Sequence, residues 1–136
     1  MDSLLKYIIS ITILITSPDL ACSQTQASKE RKLIIGTWLV EDKSYQLDFQ
    51  ANGECFVYFP SMKLHIINTY RISDTMPDCI PKEDMIIDPK EKVTFLEMID
   101  KKDGFKLCYE INGITATVLS IRPLGRGGYT LFDRKK

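Results

Sequence analysis

From Leu33 onward the chain repeats one unit: a short run of apolar or alternating residues, then a turn signal. Leu33–Val40 is the first run. In Ser44–Gln50, Tyr45, Leu47 and Phe49 alternate with Gln46 and Asp48. That period of two belongs to a strand with one face buried. Asn52-Gly53 is a hairpin signal, because a tight two-residue turn needs positive φ at both central positions. Cys55–Phe59 returns and Pro60 stops it. Leu64–Ile72 is a longer strand candidate, and residues 73–82 read as an irregular loop holding Pro77, Cys79 and Pro81. Met85–Ile87 is short and closed by Asp88-Pro89. Val93–Asp100 alternates, and Lys101-Lys102-Asp103-Gly104 turns it. Phe105, Leu107, Tyr109 and Ile111 then face one way, Lys106, Cys108 and Glu110 the other, before Asn112-Gly113 turns again. Thr117–Arg122 and Tyr129–Arg134 finish the chain, joined by Pro123–Gly128.

No stretch after residue 33 keeps a helical period. The pattern therefore predicts an all-β domain over residues 33–136, an antiparallel up-and-down meander of about eight or nine strands. Closing the meander into a barrel removes both open edges, which otherwise invite aggregation. A barrel of about eight strands has room inside for side chains or one small ligand.

The N-terminus has a different pattern. Lys6 precedes an apolar run from Tyr7 to Thr16, Pro18 breaks it, and small residues follow. Residues 1–21 thus read as a secretory signal peptide, too short in its apolar part to span a bilayer, which takes about 20 residues. Leu20-Ala21-Cys22 resembles the end of a bacterial lipobox, which would make Cys22 the lipidated first residue and anchor the protein to a membrane of the bacterial cell envelope. Ala21-Cys22-Ser23 also meets the small-x-small rule for ordinary cleavage, giving a periplasmic or secreted protein; an uncleaved anchor is the third reading. Residues 22–32 are polar and suit a flexible tether.

Among 136 residues, 44% are hydrophobic and 10% aromatic, which fits a globular domain and argues against disorder. Eighteen basic residues balance eighteen acidic ones, and losing Lys6, Asp2 and Asp19 with the leader leaves +1. Nothing there attracts nucleic acid, which needs a basic face. Without Cys22, Cys55, Cys79 and Cys108 remain, so one disulfide at most forms and one thiol stays free. Cys79–Cys108 is the pair expected in an oxidising compartment, tying the long loop to the polar face of a strand; Cys55–Cys79 and Cys55–Cys108 are the rivals. With a single His and no C-x-x-C, no metal or cofactor is expected.

Gly36-Thr37-Trp38, opening the first strand, resembles the Gly-x-Trp signature of the lipocalins. Tyr109-Glu110-Ile111, through Leu119-Ser120-Ile121, to Leu131-Phe132-Asp133-Arg134, resembles small lipocalin-like lipoproteins of Bacteroidetes-type bacteria. The resemblance covers roughly residues 33–136 and implies a calycin barrel. In that family the Trp closes the barrel floor and an Arg near the last strand lies across it. Trp38 matches the first, and Arg134, with Arg122 behind it, is the candidate for the second. The plain alternative makes Trp38 a core anchor and Arg134 a surface charge.

Catalytic chemistry finds little support. A nucleophilic set needs a base beside a Ser or Cys, and His65 sits in an apolar strand between Leu64 and Ile66. Glu83-Asp84 flanks a loop and reads as a solvated pair. Gly125-Arg126-Gly127-Gly128 lacks the Lys-Ser/Thr of a phosphate loop and reads as a hairpin tip. The chain is not expected to be an enzyme. Tyr58, Tyr70, Phe95, Phe105 and Tyr109 either line a cavity for a small hydrophobic ligand or simply fill the barrel. The first reading is a passive carrier, the second a solid barrel binding an envelope protein partner through loop 73–82, with Asp74, Asp78 and Lys82 as contact candidates.

Overall fold

The computed structural model describes residues 25–79, 93–125 and 127–136. The leader, Cys22, Lys82, the Glu83-Asp84 pair, the Met85–Ile87 run and Arg126 lie outside the described residues. One helix, α1 (Gln26–Leu33), precedes eight strands: β1 (Gly36–Val40), β2 (Gln46–Phe49), β3 (Glu54–Phe59), β4 (Leu64–Ser73), β5 (Thr94–Asp100), β6 (Lys106–Ile114), β7 (Val118–Pro123) and β8 (Thr130–Arg134). They form a closed barrel in sequence order, each pairing antiparallel with the next. β8 returns to β1, with Trp38 opposite Arg134 and Val40 opposite Phe132.

Two hairpins differ from the expected turns. At Asn52-Gly53 only Gly53 has positive φ (87°). Its N–H reaches Gln50 O, and Gln50 N–H reaches Glu54 O. The loop is therefore Ala51-Asn52-Gly53, with the glycine as the one left-handed residue. Asn112-Gly113 is not a turn at all. Strand β6 runs through it to Ile114, and the register shifts between Ile111 and Gly113, so Asn112 is the extra residue of a β-bulge. The chain reverses at 115–117, where Thr115 N–H bonds Val118 O and its hydroxyl accepts from Val118 N–H.

The segment expected as a tether is largely the helix α1. Thr25 caps it by accepting Ser28 N–H at 3.1 Å, and Arg31 and Lys32 occupy the last turn, where cations suit the helix dipole. Ala27, Glu30 and Ile34 are buried and spaced three and four apart, so they share one face. That face closes one end of the barrel, joining a core of Trp38, Phe49, Ile72, Leu96, Ile111, Leu119 and Phe132. Glu30 is buried, and among the described residues no cation pairs with it. Gln26 donates to one of its oxygens at 2.9 Å and the Thr94 hydroxyl to the other, which satisfies the carboxylate inside the fold.

A second apolar cluster lies outside the barrel. Phe95, Cys108 and Leu124 are buried there, with Met76, Cys79 and Val93 against them. The Cys79–Cys108 disulfide, with Cα atoms 6.2 Å apart, fastens the segment after β4 over β6. Among the described residues Cys55 is the free thiol, and it is buried inside.

Candidate functional site

The closed end is built on Trp38. Its indole N–H donates to Ile34 O at 2.7 Å, and the Arg134 guanidinium lies 4.2 Å from the ring centroid. Arg134 also donates to Ile35 O and Ala116 O, each at 2.7 Å, and to Leu33 O. The side chain therefore ties the end of α1 and the β6–β7 turn to β8 across the indole. Gly36 adopts φ +133°, and a Cβ placed there would collide with Arg134 Nη1. Arg122 is elsewhere: it pairs with Glu110 at 2.6 Å and stands 5.2 Å from the Tyr129 ring centroid.

The opposite end holds a cavity of about 450 Å³, lined by Tyr45, Leu47, Val57, Phe59, Ile66, Asn68, Met98, Asp100, Phe105, Leu107 and Tyr109. The lining follows strand parity. Leu47 on β2, Val57 and Phe59 on β3, Ile66 and Asn68 on β4, and Leu107 and Tyr109 on β6 are alternate residues, so each strand turns one face inward. The volume lies within the range of about 300–1,000 Å³ typical of small-molecule sites, and the lining is mostly apolar with few polar groups, as such sites are.

The five aromatic residues proposed as lining divide. Phe105 and Tyr109 line the cavity. Tyr58 does not: it falls between Val57 and Phe59 and stacks outside on His65, with ring centroids 4.4 Å apart. Phe95 points into the outer cluster beside the disulfide, since Thr94, Leu96 and Met98 hold the inward parity of β5. Tyr70 faces inward but below the cavity, edge-on to Phe49, with its hydroxyl donating to Gln50 O at 2.8 Å. Tyr45, which shares the alternation of Leu47 and Phe49, and Asn68 also line the cavity and are absent from those five. The alternation Ile66-Asn68-Tyr70-Ile72 is the signal that places Asn68 inside.

The interior resists charge. Burial pushes the Tyr109 phenol up to about 12, helped by Tyr45 and Cys55. Burial likewise raises the Cys55 thiol to about 12, and raises Tyr45 and Tyr70. His65 is exposed, and among the described residues it makes no hydrogen bond to a hydroxyl or thiol. Cys79, Glu97 and Cys108 lie close enough together to resemble a metal site, but the two sulfurs are joined to each other. No protein-family profile, no curated protein and no solved structure matches the chain.

Proposed function

We propose that the protein is an exported, lipocalin-like carrier that holds a small apolar or amphipathic molecule inside its barrel. The observation that carries this reading is the cavity of about 450 Å³ between Leu47, Val57, Phe105 and Tyr109, at the end of the barrel opposite the Trp38 floor. Binding there is passive: apolar ligand surface leaves water, worth about 25 cal/mol per Å². The export part rests on the leader pattern of residues 1–21, with Cys22 as lipid attachment site in a bacterial envelope or cleavage nearby as the alternative. The intact mass of the mature protein separates these. Binding is tested with the dye N-phenyl-1-naphthylamine, whose fluorescence should rise with wild-type protein. Val57→Trp fills the cavity and should abolish the rise while the protein stays folded. Equal dye binding by both proteins would sink the carrier reading.

One observation favours a second reading, a protein-interaction module. The open end carries exposed apolar side chains, with Met62 64%, Phe105 63% and Leu131 56% accessible. Such a rim suits a partner surface. A partner that binds Val57→Trp as well as wild type, but not Met62→Ser/Phe105→Ser, would support it over the carrier.

A further inference from the structure

Asn68 is 2% exposed and turns into the cavity from the middle of β4. Among the described residues, no donor or acceptor meets its carboxamide. No side-chain nitrogen or oxygen of the described residues is sealed from solvent without a partner, so this amide opens onto the cavity and is met there by water or by ligand. Its cross-strand neighbour is Asp100, which also lines the cavity. One Asp100 oxygen, Oδ1, accepts from Lys102 N–H at 2.7 Å. Among the described residues, no Lys or Arg lines the cavity, and the nearby Lys101 ammonium pairs with Glu54 at 3.6 Å instead. The cavity wall thus offers an amide, a carboxylate and phenols in an apolar setting. A buried carboxylate ligand would find one like charge and no counter-charge.

We infer that the cavity takes an amphipathic molecule whose head is a hydrogen-bond donor without negative charge, a hydroxyl or an amine, seated against Asn68 and Asp100. Its apolar body lies toward Leu47, Val57 and Phe105. This rests on the carrier reading above and narrows its ligand class, setting aside fatty-acid carboxylates.

The experiment is displacement of N-phenyl-1-naphthylamine from the folded protein at neutral pH by decan-1-ol, decylamine and decanoate, which share one chain and differ in the head. The alcohol and the amine should each displace dye at roughly tenfold lower concentration than decanoate. A further advantage of the amine over the alcohol that Asp100→Asn removes assigns the head to an amine; equal potency assigns it to a hydroxyl. Asp100→Asn keeps an oxygen for Lys102 N–H, removes the like charge, and should tighten decanoate so that its gap to decan-1-ol narrows. Asn68→Leu should weaken decan-1-ol roughly three- to tenfold, the worth of one net hydrogen bond. Decanoate binding as tightly as decan-1-ol overturns the inference while leaving the carrier reading in place. So does an Asn68→Leu variant with unchanged ranking and affinities, which would mean that Asn68 meets only water. Absence of dye binding by wild-type protein overturns both.

Discussion

The contact most open to a quantitative test is Arg134 over Gly36 and Trp38. Arg134→Ala removes a cation from above the indole, worth about 0.5–2 kcal/mol, and hydrogen bonds to three carbonyls. Those carbonyls lie near the surface, where water replaces part of what is lost, so the low end of about 0.5 kcal/mol each applies. The variant should be destabilised by about 2–3.5 kcal/mol. Gly36→Ala acts through the same contact. It places a Cβ against Arg134 Nη1 and forces a side chain into φ +133°, a strain of about 1–3 kcal/mol by itself. In wild type it should therefore cost the strain plus part of the Arg134 contacts. In the Arg134→Ala background only the strain remains, so the two substitutions should be less than additive by about 1 kcal/mol. Urea denaturation of the four proteins, followed by near-UV circular dichroism of the single tryptophan, measures each term. Additivity within about 0.5 kcal/mol, the figure for independent sites, would refute the account.

Other consequences are read by similar means. Replacing Cys79 and Cys108 by Ser should lower stability by about 3–4 kcal/mol, from the entropy of a loop spanning 29 residues, and reductant should then have no further effect. Thr94→Val leaves one Glu30 oxygen buried without its donor and should cost about 1–3 kcal/mol in thermal or urea unfolding. The raised Cys55 and Tyr109 values mean that the folded chain holds protons the unfolded chain releases. Their contribution is full below pH 9, where the unfolded thiol begins to ionise, and is lost as pH rises to about 12. Stability should fall across that window, and Cys55→Ala should make the fall shallower.

Much of the barrel could be read from alternation, and the strand Phe105–Ile111 shows why. Its residues obey strict period two, so the inward set Leu107, Tyr109 and Ile111 follows directly once one face is buried. Val93–Asp100 is harder, because Phe95 and Leu96 are adjacent and both apolar. Both faces of β5 are buried, one by the barrel and one by the disulfide-tied loop, and local pattern does not distinguish them. Helix α1 escaped detection because its sequence, QASKERKL, is polar and its buried face includes Glu30, which depends on a Thr94 hydroxyl far along the chain. The cap at Thr25 and the Ala27–Glu30–Ile34 spacing were its only local marks. Asn68 is hidden from local pattern for a similar reason: a polar residue in a strand looks like a solvent position until the barrel closes around it.

The sheet is sealed by the meeting of its first strand with its last, Trp38 against Arg134. During synthesis the indole lacks its covering guanidinium until residue 134 has emerged. Loss of even the last few residues would therefore leave a seam along the whole cylinder, not a frayed tail. Such end-to-end pairing of distant segments is slow to form.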